Sequence, residues 1–75
     1  MKELVELIAR GLVEQPEAVS VREVQREQVT VYEISVSPSD VGKIVGKGGR
    51  LIKAFRTLLS TAAISDGRRV SIEIV

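Results

Sequence analysis

The sequence contains no cysteine, no histidine and no tryptophan, and its only aromatic residues are Tyr32 and Phe55. Without cysteine there is no disulfide framework, no thiolate metal site and no sulfur nucleophile. Without histidine the commonest metal ligand and general base is missing too. The carboxylates that remain lie mostly in the N-terminal half, so the composition speaks against an enzyme and against a bound cofactor or metal. Two aromatics are also too few for a surface that stacks bases on several rings. Long apolar runs are absent: no stretch approaches the roughly 18 residues of a membrane span. Glu3, Glu6 and Arg10 interrupt the opening apolar pattern, which argues against a secretory leader. The expectation is a cytoplasmic protein without a membrane or small-molecule partner.

What is present suits a single small domain over residues 1–75, with 44% hydrophobic and 28% charged residues. A chain of this length buries only about 60% of its unfolded surface, so its core is thin and self-association or a partner subunit is plausible.

The net charge of +1 hides an uneven distribution. Residues 1–40 carry four bases against eight acids, a net of −4, whereas residues 41–65 hold Lys43, Lys47, Arg50, Lys53 and Arg56 and no acid. Such a concentration attracts a polyanion to one face, while the acidic remainder discourages indiscriminate binding. An ordinary solvated helix face is the competing explanation.

Leu4, Val5, Leu7, Ile8, Leu12 and Val13 recur at helical spacing and predict an amphipathic helix over about 2–14, stopped before Pro16. Residues 19–26 and 29–36 are rich in β-branched side chains and read as a hairpin, with Tyr32, Ile34 and Val36 inward. Ser37-Pro38-Ser39-Asp40 then has the form of a helix start, with Ser37 as cap, Pro38 at the first position and Asp40 completing a capping box. The short helix that follows runs into Gly46-Lys47-Gly48-Gly49. A third helix carries the apolar stripe Leu51, Ile52, Phe55, Leu58, Leu59, Ala62 and Ala63. Ser65-Asp66-Gly67 reads as a turn, and residues 69–75 alternate as a strand with Val70, Ile72 and Ile74 inward. The order α-β-β-α-α-β implies an α+β fold, because a strand reached after two helices cannot join its predecessor by a hairpin. The expected architecture is a three-stranded mixed sheet with the helices packed on one face.

The glycine loop carries the most functional information. Glycine permits positive φ and lets another backbone come close, and amides at a helix N-terminus favour an anion; Gly48, Gly49 and Arg50 are placed for this. A P-loop is excluded because three residues instead of four separate Gly42 from Gly46 and Lys47 is followed by Gly48. The dinucleotide fingerprint is excluded because Leu51 stands where its third glycine belongs, and the loop follows a helix and not a strand. What survives is Gly-x-x-Gly, Gly46 and Gly49, between two helices, a loop that in KH domains clamps about four single-stranded nucleotides.

Ile44-Val45-Gly46-Lys47-Gly48-Gly49-Arg50-Leu51-Ile52 resembles the KH signature: a hydrophobic pair, the glycine loop and an isoleucine three positions later. The element order matches the type II, prokaryotic KH arrangement. The MKELVE opening, the Val-Tyr-Glu-Ile strand, Asp-Val-Gly-Lys before the loop and Arg-Thr-Leu-Leu after it extend the likeness over the whole chain. It is similar to the small stand-alone bacterial KH proteins of the KhpA (YlqC) family. The resemblance implies a single-stranded RNA-binding protein and RNA chaperone, working as a homodimer or with a larger KH protein of the KhpB (Jag) type. It also implies post-transcriptional regulation and, in Gram-positive relatives, a link to cell shape and the cell wall.

The candidate RNA-binding set is therefore Lys43, Ile44, Val45, Gly46, Lys47, Gly48, Gly49, Arg50, Ile52 and Lys53. Gly46 and Gly49 allow close approach of the sugar-phosphate chain, or make a tight helix-helix turn with no ligand. Lys47 and Arg50 neutralise phosphates; for Lys43, Lys53 and Arg56 that role and ordinary solvation stand level. Ile44, Val45 and Ile52 floor a groove under the bases, fill the core, or do both. Gly48 adds flexibility, and Gly42 permits close packing of the short helix or approach of a partner. In the alternative function, a dimeric interaction subunit with incidental RNA contact, the glycine loop and the third helix form the surface, a reading motivated by Phe55, Leu58 and Leu59 near the basic stripe.

Overall fold

A computed structural model describes residues 1–63, 67 and 69–75. The elements follow the expected order: α1 Lys2–Leu12, β1 Ser20–Arg26, β2 Val29–Ser35, α2 Val41–Val45, α3 Arg50–Ala63 and β3 Arg69–Ile74. Short 3-10 turns at Pro16–Ala18, Pro38–Asp40 and Lys47–Gly49 connect them. The sheet order is β1-β2-β3, with β1 antiparallel and β3 parallel to β2. The parallel pairing requires the crossover through α2 and α3, and this is what brings the glycine loop into a helical layer.

One face of the sheet holds the core. Val21, Tyr32, Ile34 and Ile72 pack there with Val5 and Ala9 of α1, Ile44 of α2, and Ile52, Phe55 and Leu59 of α3. Val70 and Ile74 pack against the same cluster, as the alternation of β3 requires. The opposite face carries Arg22 and Arg26, which reach Glu33 at 2.9 and 4.0 Å across the strands.

Two helices are narrower on their buried side than their periodicity suggests. In α1, Val5 and Ala9 are buried with Ile8 and Leu12 beside them, whereas Leu4 and Leu7 face solvent, Leu7 at 69% exposure. In α3, Ile52, Phe55, Leu59 and Ala63 are buried, but Leu58 is 53% exposed. The physical reason is the same in both: each helix packs on one side only, so apolar residues beyond that stripe stay in water. The Ala62 side chain and the Ser65-Asp66 part of the expected turn lie outside the described residues; Gly67 has φ +67°.

Helix α1 stops at Leu12 and not at residue 14, because Val13 is extended and the next two amides are claimed elsewhere. Gly11, exposed near the end of that helix, meets nothing within 4 Å where a Cβ would stand. Replacing it should therefore act through helix propensity alone. Gly11→Ala is expected to stabilise the fold by about 0.5–1 kcal/mol, read as a higher melting temperature. Loss of stability would show a constraint at this position beyond propensity. Gly42 likewise has open space around it, so the expected close packing of α2 at that glycine is not found among the described residues.

Candidate functional site

Helix α2 ends at Gly46, whose amide donates to the Gly42 carbonyl at 2.9 Å. Gly46 has φ 78° and ψ 172°, a conformation essentially confined to glycine. A Cβ there would stand 2.5 Å from Leu51 Cβ and 2.8 Å from Leu51 N. Gly48 and Gly49 also have positive φ, 64° and 78°, but open space around them. The three glycines thus do different work: Gly46 lets the chain pass the start of α3, and Gly48 and Gly49 complete the reversal in open space.

The loop spends part of its own hydrogen-bonding capacity. Gly49 N donates to Gly46 O at 3.2 Å, and Arg50 N donates to Lys47 O. The expectation that the Gly48, Gly49 and Arg50 amides all await an anion is corrected to this extent. A tight 3-10 turn forms by consuming the amides of Gly49 and Arg50.

Around this loop the basic residues separate into two groups. Lys47, Arg50 and Lys53 are exposed and, among the described residues, have no ion-pair partner. Arg50 and Lys53 are three apart in α3 and share a side of it, just beyond Lys47. Lys43 is committed instead: its Nζ lies 3.2 Å from Glu14 Oε1 and 3.6 Å from Asp40 Oδ1. The hydrogen bond to Glu14 outweighs partial desolvation and, with the charges of Glu14 and Asp40, holds this ammonium above the ordinary lysine range. A folded value above the unfolded one means the contribution to stability is complete at neutral pH. It is lost only in strongly alkaline solution, as pH rises through the folded value. Arg56 is committed as well, donating from Nη2 to the Ile72 carbonyl of β3 at 3.1 Å.

The apolar members of the set divide too. Ile44 and Ile52 are buried in the core, where they fasten the two helices that frame the loop; Val45 is half-buried against the same cluster. Phe55 and Leu59 are core residues, which corrects their expected place on an interaction surface; of the three only Leu58 is exposed.

Asp40 is the residue whose role the sequence misassigned. It precedes α2 but makes no cap bond, and the Ser37 hydroxyl turns to Ser39 at 3.1 Å, so no capping box forms. The Asp40 carboxylate, 1% exposed, instead accepts the backbone amides of Glu14 at 3.2 Å and Gln15 at 3.0 Å. One buried side chain therefore ties the end of α1 to the start of the helix that carries the loop. The carboxylate and its two amide donors are 25 and 26 residues apart, so no local pattern signals the contact.

An open depression of ≈ 980 Å³ lies elsewhere, lined by Arg26, Val29, Val31, Arg69 and Ser71 among others. A loop that grips a strand by its backbone needs no enclosed cavity.

Residues 2–74 match the family described as KhpA/KhpB, KH domain. The chain belongs to that family. The KH relatives include proteins named RNA-binding protein KhpA from Clostridium perfringens, 51% identical over the full length of both chains, and from Thermotoga maritima, 48% identical over all of this chain and 99% of the relative. A third, from Chlamydia pneumoniae, carries the same name and is 49% identical over all of this chain and 96% of its own length. No solved structure matches the chain. Among the described residues, no helix of this KH domain is long and apolar enough to cross a membrane.

Proposed function

We propose that this KH domain binds single-stranded RNA, with the Gly46–Gly49 loop set against the sugar-phosphate chain and Lys47, Arg50 and Lys53 neutralising phosphates. The observation that carries the reading is the run of three uncommitted cations along the loop and the first turn of α3, in a chain whose relatives are named RNA-binding proteins. The tight glycine turn supports close approach of a backbone. The grip covers few nucleotides and reads phosphate more than base, which fits an RNA chaperone that takes hold of many strands and releases them. Three phosphate contacts on a single strand give a slope of log affinity against log salt of about −2.

The test is fluorescence anisotropy with a mixed-sequence single-stranded RNA at two salt concentrations. The loop variant of choice is Gly48→Asp with Gly49→Asp. Both positions have open space, and aspartate tolerates positive φ better than most residues, so the variant meets no clash and carries only backbone strain, its fold being checked by a thermal melt. Binding should weaken by about tenfold or more. A folded variant with unchanged affinity would remove the loop from the site.

A second reading has one observation in its favour: Leu58, 53% exposed on basic helix α3. An exposed leucine there suits a protein partner, whether a second copy or a larger KH protein. Sedimentation of wild type against Leu58→Glu distinguishes the two, since a monomer in both cases removes self-association through that residue.

A further inference from the structure

We propose that Glu14 sets the affinity of the glycine-loop site by occupying the Lys43 ammonium and competing for it with an RNA phosphate. The inference rests on the RNA-binding reading above and adds to it a built-in acidic competitor. Three observations lead to it.

Lys43 stands one helical turn before Gly46, on the helix that leads into the loop. Of the cations at 43, 47, 50 and 53 it is the one in an ion pair among the described residues. Its partner is also not a freely moving surface acid. The backbone amides of Glu14 and Gln15 are both fixed on the buried Asp40 carboxylate, so the Glu14 side chain is presented to Lys43 from an anchored position. Finally, the pair itself is wet, Glu14 being 76% and Lys43 42% exposed. An exposed lysine-carboxylate pair is weak enough to be exchanged for a phosphate oxygen, and lysine accepts either partner as a point charge. Asp40 remains near the ammonium after such an exchange, so Lys43 stays positioned when Glu14 releases it.

The experiment is an RNA titration of wild type, Glu14→Gln, Lys43→Met and the double variant across a salt series, with Glu17→Gln as control. Glu17 is exposed in the adjoining 3-10 turn and has no ion pair among the described residues, so it reports the general effect of losing one negative charge. Glu14→Gln keeps the backbone amide that Asp40 accepts, and its fold is checked by a thermal melt. The expected result is affinity about threefold tighter at low salt. The salt slope should steepen from about −2 to about −3 as one more phosphate is contacted. Both changes should vanish in the Lys43→Met background.

The proposal is overturned if Glu14→Gln behaves as Glu17→Gln does, or if its gain persists without Lys43. Those results leave RNA binding itself intact. Failure of folded wild type to bind RNA overturns the RNA reading and this inference together.

Discussion

Asp40→Ala is expected to cost about 3 kcal/mol of folding stability and to lower the melting temperature by roughly 20 °C. The carboxylate is buried and accepts two backbone amides that have left helix α1 and face it at 3.0 and 3.2 Å. Hydrogen bonds to a charged group contribute about 1.5–3 kcal/mol each, and their removal leaves two donors partly shielded from water. For 75 residues the whole stability is on the order of 4–11 kcal/mol. The loss therefore takes a large share of the margin. Asp40→Asn should fall between, because an amide offers one oxygen and turns an NH2 toward the second donor. Ser37→Ala supplies the contrast: with no cap bond to lose, it should stay within about 0.5 kcal/mol. Urea unfolding of the three variants checks the order. If Ser37→Ala cost as much as Asp40→Ala, the tertiary role given to Asp40 would be wrong.

The second large effect is expected at Gly46. Gly46→Ala places a Cβ 2.5 Å from Leu51 Cβ and 2.8 Å from Leu51 N, so the first turn of α3 must move. The backbone strain of a non-glycine residue in that conformation adds about 1–3 kcal/mol. The combined expectation is about 3 kcal/mol or more. Gly48→Ala, at φ 64° and ψ 21° with open space, carries the left-handed penalty alone, about 1–2 kcal/mol. The ranking, not either value, is the test: equal losses at the two positions in chemical denaturation would contradict the geometry. It also has a practical consequence, since a charged substitution at Gly46 confounds loss of fold with loss of RNA contact. Substitutions at Gly48 and Gly49 meet no clash and carry the left-handed penalty alone.

The exposed leucines show how far periodicity reaches. Leu58 falls on the same helical stripe as Phe55 and Leu59, and spacing alone does not separate them. The separation arises because β3 lies under one side of α3, with Phe55 and Leu59 buried in the core and Leu58 left exposed. The same holds for Leu4 and Leu7 against Val5 and Ala9 on α1.

By itself the sequence determined the elements and their order, the inward alternation of Tyr32, Ile34, Ile72 and Ile74, and the glycine turn flanked by cations. Each depends on neighbours within a few residues: on the two-residue period of a strand, the 3.6-residue period of a helix and the φ preference of glycine. Membership of the KH family was legible for the same reason, because the signature around Gly46 and Gly49 is contiguous. Only the tertiary structure decided that Asp40 clamps the end of α1 instead of capping α2, that Lys43 is held by Glu14 while Lys47, Arg50 and Lys53 remain uncommitted, and that Gly46 alone is sterically locked. The last depends on how closely Leu51 at the start of α3 approaches Gly46, the first two on which groups meet when α1 and α2 pack on one sheet face. Burial and pairing there are set by residues about 25 positions away, and nothing in the local pattern carries that information.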